Sequence, residues 1–445
     1  MSDIPQRIKK YLDKYSLPIW NVEYDNDLLF NNIVVIPSIC EFENILKLIS
    51  SLVELDNKYI PTTLFLFVVN NKKNISEEIK ADNMKSLNLL RGLIIHKKDN
   101  LKDKKLQSII SSKINFGVID ASSFGNELPD KDAGVGIARK IGMDCALNLF
   151  NYSTKNKKIL ICLDADCTVN KNYLTEIVEA FNFKNINAAV LRYEHNIREN
   201  NEELKAIICY EIFLRYYHLG LIYANSHYAF ATIGSAMACD VENYVQIEGM
   251  NKRKAAEDFY FLEKLSKSVK IFEINNAIVY PSVRKSWRVP FGTGQSVDRF
   301  LSNSKNEYLL HNPKSFEVLK KWNILLLNEK DPNMILIKSK EISLQLFNYL
   351  EEQKFTTAIK NITSNAKTEI QLNSQKTKWF DGFRTLKLIH YLRDNGYPDL
   401  NMFDAVDKLF IKMNINCDVK RVKGSIPKLE TQKKYLIEMR NYFYR

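Results

Sequence analysis

Three short apolar runs, each closing on a polar turn, constrain this chain more than anything else in it: residues 32–37 (NIVVIP), 64–69 (LFLFVV) and 159–163 (ILICL). Runs so uniform and so short read as strands buried on both faces, because a half-exposed strand would alternate polar and apolar residues. Between and after them the period changes. Residues 41–55 carry apolar side chains at Phe42, Ile45, Leu48 and Leu52, residues 76–90 and 170–181 are also helical in spacing, and 116–120 and 188–193 (AAVLRY) are further short strands. Strands alternating with helices predict an α/β fold: a mainly parallel, Rossmann-like sheet with helices on both faces. The third run adds chemistry, since it ends in Asp164 and Asp166 one residue apart. Ligands of open α/β sheets collect outside the carboxyl ends of the strands. Two acids there can share a hard divalent ion whose other ligands are water and substrate phosphate. The same spacing occurs at Asp25/Asp27 and Asp130/Asp132 without a preceding apolar run, and Asp166 could instead cap a helix starting near Asn170.

At 445 residues the chain suggests two or three units at ~100–200 residues per domain. The texture changes near residue 305, beyond which glycine nearly disappears and helical periodicity takes over (315–327, 335–350, 379–392). The reading is an N-terminal extension (1–30), an α/β domain (31–304) and a helical C-terminal domain (305–445). The first residues lack the apolar stretch of a secretory signal, and no apolar run approaches the ~20 residues of a membrane span. Seven cysteines, with no C-x-x-C pair, suit reduced thiols in a cytoplasmic protein. The net charge of +12 invites a nucleic-acid partner, but no arginine-rich block, zinc spacing or RNA-binding aromatic motif accompanies it. A basic tail with interleaved aromatics (Lys420, Lys423, Lys428, Lys433, Lys434, Arg440; Tyr435, Tyr442, Phe443, Tyr444) suggests peripheral contact with the inner face of a membrane.

Further motifs surround the acids. Gly134 and Gly136 open a helix that carries Arg139, where free N–H groups suit phosphate; the stretch is not G-x-G-x-x-G, so a nicotinamide cofactor is disfavoured. Residues 203–223 are apolar nearly all round, as in a buried helix or one receiving a lipid-like acceptor. Residues 231–237 are rich in small side chains and suit close passage under a substrate. Glu257 and Asp258 stand in the first turn of a later helix, where they complement its dipole or serve as a general base. After a strand near 277–281, Arg284, Lys285 and Arg288 beside a glycine turn could clamp a diphosphate.

Taken together, VVIPS, GVGIARKIGMD, LDADC and AAEDFYFL, in that order over about residues 33–297, resemble the family-2-like glycosyltransferases of the GT-A fold. The resemblance implies an inverting enzyme that moves a sugar from a nucleotide-diphosphate donor to an acceptor hydroxyl on a glycan, a lipid-linked carrier or a small molecule, with Mn²⁺ or Mg²⁺, as in polysaccharide biosynthesis. It implies that Pro37 and Ser38 line the nucleoside pocket and that Arg139 with its glycine loop faces the nucleotide. Asp164 and Asp166 then hold ribose and metal, with Asp166 the direct ligand, and Asp258 of the Glu257-Asp258 pair is the base. Two positions depart from the pattern. Asn70 stands where many relatives place an acid that reads the base, and none of His96, His195, His218, His227, His311 and His390 falls where a metal-binding histidine is expected. A nucleotidyltransferase using the same acidic site, a glycoside hydrolase and a non-catalytic scaffold remain as alternatives.

Overall fold

A computed structural model of the chain describes residues 4–17, 20–25, 28–95, 109, 112–197, 202–283, 293–302, 304 and 306–444. In chain order the first elements are α1 (Gln6–Tyr15), β1 (Val22–Glu23), β2 (Asn32–Ser38), α2 (Phe42–Val53), β3 (Thr63–Asn70), α3 (Glu77–Ile95) and β4 (Asn115–Ala121). They are followed by α4 (Val135–Ala146), β5 (Ile159–Cys162), β6 (Thr168–Val169), α5 (Tyr173–Phe183), β7 (Ala188–Tyr193), α6 (Glu202–Tyr223), β8 (Met237–Asp240), α7 (Val241–Gln246), α8 (Glu257–Ser266) and β9 (Ile271–Tyr280). These nine strands form one sheet in the order β1-β4-β3-β2-β5-β8-β7-β9-β6. Six of them (β2, β3, β4, β5, β7, β9) run in one direction, while β1, β6 and β8 oppose them. The sheet is therefore mixed and mainly parallel. Every residue of β2, β3 and β5 is buried, which is why their sequences are continuously apolar.

The order β4-β3-β2-β5 matters for function. The chain builds outward from β2 through β3 to β4, then crosses back to lay β5 against the other side of β2. The strand order reverses there, leaving a crevice at the carboxyl ends of β2, β3 and β5. Helix α4 makes that crossover and sits tightly on the sheet: a Cβ at Gly142 would lie 2.4 Å from Val35 Cγ1 and 2.8 Å from Val68 Cγ2. Glycine at this position sets how deeply α4 beds on β2 and β3.

The chain divides into two compact units, residues 1–198 with 232–295 and residues 199–231 with 296–445. A cut near 304 does not follow this division, because α6 leaves the sheet unit and serves as a core helix of the other. The second unit continues with α9 (Thr293–Leu301), α10 (Pro313–Asn328), α11 (Pro332–Ile342), α12 (Leu344–Glu352), α13 (Phe355–Asn365), α14 (Glu369–Trp379), α15 (Gly382–Asp394), α16 (Met402–Met413) and α17 (Leu429–Phe443). Helix α6 is largely apolar because most of it is packed: Ile207, Ile208, Ile212, Tyr216 and Leu219 are buried while Phe213 is exposed, and α10, α16 and α17 pack on it. Two charges buried with it are paired. Glu211 accepts from Arg215 on its own helix (2.7 Å) and from Arg440 of α17 (2.6 and 2.8 Å). The Arg215 guanidinium also donates to the Tyr444 hydroxyl (3.0 Å).

Part of the basic tail packs into this unit. Tyr435 and Phe443 are buried in the second unit, Phe443 stacks on His218 at 4.6 Å between ring centres, and Arg440 faces Glu211. Tyr435 and Phe443 are core residues of α17, while Tyr442 and Tyr444 are half-buried. Among the described residues no helix is long and apolar enough to cross a membrane.

The N-terminal helix belongs to the sheet unit. Tyr11 of α1 reaches into a buried polar cluster, donating to Asp144 Oδ1 (2.8 Å), which also accepts from the Tyr244 hydroxyl (2.7 Å). Lys140 closes the cluster with its Nζ 2.8 Å from Asp144 Oδ2. Burial pushes the Asp144 carboxyl up while the Lys140 charge opposes that. Gly249, at φ +71°, makes room, since a Cβ there would lie 1.9 Å from the Tyr11 hydroxyl.

Candidate active site

A cavity of about 350 Å³ opens at the reversal of strand order. Pro37 and Ser38 at the end of β2, Asn70 at the end of β3, Gly134 at the start of α4, and Asp164 and Asp166 after β5 all line it. The two acids reach it by alternation. Leu163, Ala165 and Cys167 are buried beneath the turn, the Cys167 amide donates to the Asp164 carbonyl (3.1 Å), and the intervening carboxylates are left on the open side. Asp166 is not a helix cap, since α5 begins at Tyr173 after Asn172.

Arg139 does not face the cavity. Its side chain is 2% exposed and lies behind the acids, with Nη2 donating to Asp164 Oδ1 (2.5 Å) and Nη1 paired with Glu257 Oε1. The guanidinium rests against Gly234, where a Cβ would come within 2.5 Å of it. Gly234 of the small-residue stretch 231–237 thus accommodates Arg139, which is not among the residues lining the cavity. A buried guanidinium holds a carboxylate at each end of its fork, and thereby fixes the turn after β5 relative to the start of α8.

That fixes different roles for Glu257 and Asp258. Glu257 is buried and committed to Arg139, whereas Asp258 is only partly buried and accepts the Phe259 amide at 2.7 Å. Neither lines the cavity. Burial pushes both carboxyls up; the Arg139 charge opposes this, and the crowding of Asp164 adds to it. Ala256 immediately before them adopts φ +57°, a left-handed conformation costing an alanine ~1–2 kcal/mol. Strain of this kind persists where the surroundings over-determine the backbone. Here Asn251 Nδ2 donates to the Glu257 carbonyl (2.8 Å) and the Arg253 carbonyl packs on Gly136.

The glycines of 134–136 serve the same junction. A Cβ on Gly136 would lie 2.2 Å from the Arg253 carbonyl oxygen, and one on Gly134 would lie 2.9 Å from Lys254 Cα. They admit the loop of residues 251–254 more than they admit a ligand, and so place Lys254 on the cavity wall, where its Nζ donates to the Asp130 carbonyl (3.3 Å). Lys254 and Lys72 are lining cations that no motif of the sequence singles out. The basic run Lys252-Arg253-Lys254 is the one signal that points to the first of them.

At the β3 end, Asn70 spends both amide hydrogens on main-chain carbonyls, Ser38 at 2.9 Å and Val68 at 3.1 Å. What its side chain has left to offer is an acceptor oxygen, the same hydrogen-bonding character as a carboxylate. Ser38 Oγ is buried beside it with no hydrogen-bond partner among the described residues. Of the sequence-predicted phosphate clamp, Arg284, Lys285 and Arg288 lie outside the described residues, as does His96. None of the other five histidines lines the cavity, and no group of three metal-binding side chains gathers among the described residues.

No family model and no curated protein matches this sequence. Among solved structures it is similar to S. aureus TarS 1-349 in complex with UDP-GlcNAc (12% identity, TM-score 0.36, 80% of this chain and 92% of that one). It is also similar to the mannosyltransferase PcManGT from Pyrobaculum calidifontis in complex with GDP-Man and Mn²⁺ (13%, 0.36, 87% and 90%). A third is GalNAc-T7 with UDP, GalNAc and Mn²⁺ (13%, 0.34, 84% and 59%). Likenesses at these scores decide neither fold nor activity.

Proposed function

We propose that this chain is an inverting glycosyltransferase that moves a sugar from a nucleotide-diphosphate donor to an acceptor hydroxyl. The observation that carries the reading is the Arg139 fork, which joins an acid of the cavity, Asp164, to the acid pair at the start of α8. Sugar transfer with inversion needs two acidic centres with different tasks, one for the leaving diphosphate and one for the incoming hydroxyl, and this chain holds them in a fixed relation.

Asp164 and Asp166 offer hard carboxylate oxygens on one wall, a donor set that fits Mn²⁺ or Mg²⁺ when donor phosphates and water complete the shell. Such an ion supplies charge neutralisation for the departing diphosphate. Lys254 and the amides at the start of α4 lie on the same cavity and add to it. With strands ~4.8 Å apart, Asn70 lies two strands, or ~10 Å, from the acids, a separation that suits a nucleoside held by its diphosphate. Asp258, left uncommitted by the Glu257–Arg139 pair, is the base that takes the acceptor proton, a role worth ~10²–10⁴-fold. The acceptor is a glycan, a lipid-linked carrier or a small molecule.

The test is donor binding and turnover. Titration with UDP, GDP, CDP and dTDP in the presence of Mn²⁺ gives metal-dependent binding of at least one, and replacing Asp164 and Asp166 together by Ala abolishes it. Asp258→Asn retains donor binding but loses ~10²-fold or more in turnover. Turnover left within about threefold refutes the base, and release of pyrophosphate rather than a nucleoside diphosphate points to nucleotidyl transfer.

A further inference from the structure

The second unit carries a turn whose two sides differ sharply. Residues 420–428 (KRVKGSIPK) precede α17 and contain four cations and no acid. One of the four faces inward. The Arg421 side chain is 7% exposed, and its Nη2 donates to Asp404 Oδ1 and Asp407 Oδ2, each at 2.6 Å. The Asp407 carboxylate also accepts from the Tyr435 hydroxyl (2.6 Å). The turn itself is closed by the Ser425 amide donating to the Val422 carbonyl (3.2 Å), with Gly424 at φ +77°. It is tied down by the Gly424 amide on Asp404 Oδ1 (3.1 Å) and by Asn401 Nδ2 on the Gly424 carbonyl (3.3 Å). The backbone is pinned from below, and Asp404 and Asp407 are held by Arg421, while Asp418 and Glu430 flank the turn in solvent.

The outer side is what remains. Val422 is 75% exposed and Ile426 50% exposed, and Lys420, Lys423 and Lys428 around them are exposed as well. Two aliphatic side chains held in solvent on a pinned turn, with three exposed lysines around them and no acid within residues 420–428, match a surface that is apolar beneath and anionic on top. A nucleic acid would use the lysines but leave the aliphatics without a role, and the turn has no aromatic ring for base stacking. We propose that residues 420–428 dock on an anionic bilayer, with Val422 and Ile426 entering the headgroup region and the three lysines facing lipid phosphates. This surface is the first part of the basic tail read in the sequence; farther along that tail Tyr435, Phe443 and Arg440 are turned into the core. It stands independently of the sugar-transfer reading.

Co-sedimentation of the full chain with phosphatidylcholine vesicles, with and without phosphatidylglycerol, tests it. The wild type pellets with the anionic vesicles and is released by salt. A lysine near such a surface is worth about fivefold in partitioning, so Lys420→Glu/Lys423→Glu/Lys428→Glu weakens binding by about a hundredfold or more. Val422→Ser/Ile426→Ser weakens it at low salt too, where electrostatics alone would persist. Lys434→Glu, on the exposed side of α17, changes binding by less than about fivefold. All variants keep the wild-type melting temperature, because none of the altered side chains is buried. The proposal is overturned if the wild type stays in the supernatant, if the triple variant pellets like the wild type, or if Lys434→Glu has the larger effect. RNA capture without vesicle binding, surviving the Val422/Ile426 change, also overturns it.

Discussion

Replacing Arg139 with Met tests the organisation of the site most directly. Methionine fills comparable space without charge, so the change removes the guanidinium that holds Asp164 and Glu257. Breaking a buried pair by deleting one partner costs ~3–5 kcal/mol, because the other charge is left without compensation. The two pairs do not count equally. Glu257 is 5% exposed and has no water to replace its partner, whereas Asp164 is 34% exposed and can be rehydrated. The expected loss is therefore ~3–5 kcal/mol and not twice that, against a total stability of ~5–15 kcal/mol for a folded domain. The pH dependence carries the diagnosis. Burial already pushes the Glu257 carboxyl up, with Arg139 opposing, so removing Arg139 raises it further. An acid whose folded pKa lies above its unfolded value takes up a proton on folding, and its destabilising effect is full above the folded pKa and fades as pH falls toward the unfolded one. The deficit of the variant, measured by urea unfolding, is thus largest at about pH 8 and shrinks toward about pH 5. Adding Glu257→Gln recovers part of it at high pH. A deficit below about 1 kcal/mol, or one that does not change with pH, would refute the assignment of Arg139 as the neutralising centre.

Two other substitutions probe the scaffold. Gly142→Ala sets two effects of opposite sign against each other: alanine gains ~1 kcal/mol in helix propensity, but its Cβ meets Val35 and Val68 at 2.4 and 2.8 Å, and overpacking costs ~1–3 kcal/mol. A net loss by urea unfolding is expected, and a stabilised variant would show that α4 can lift off the sheet at little cost. Tyr11→Phe removes a hydrogen bond to the buried Asp144 carboxylate, worth ~1.5–3 kcal/mol for a charged acceptor. The variant should also expose α1 to proteolysis first, and unchanged protection of α1 would mean that Tyr11 does not anchor it.

Much of the sheet is legible in the sequence because burial on both faces leaves a plain mark. Residues 32–37, 64–69, 159–163 and 188–193 read as strands, and all form strands within a residue or two. The pattern marks β9 only at 277–281, yet the strand begins at Ile271, because Glu273, Asn275 and Asn276 interrupt the apolar residues of its first half. The pairing of α6 with the C-terminal helices leaves no such mark, because a largely apolar helix declares that it is packed without saying by what.

At the site, the order of motifs in the sequence determined which acids, glycines and loops belong together. Asp164 and Asp166 stand out because a strand buried on both faces cannot keep charge within it, so carboxylates that follow it directly must emerge at the edge of the sheet. What each group touches was decided only by the tertiary structure. Arg139 follows a glycine loop in sequence, yet the turn of α4 carries it behind the acids, where Gly234 leaves room for its guanidinium. Glu257 and Asp258 are adjacent and chemically alike, and only the position of Arg139, 118 residues earlier, commits one and leaves the other available. Local sequence sets which groups exist and how they alternate; partners that distant in the chain come together through the packing of α4, α8 and the sheet.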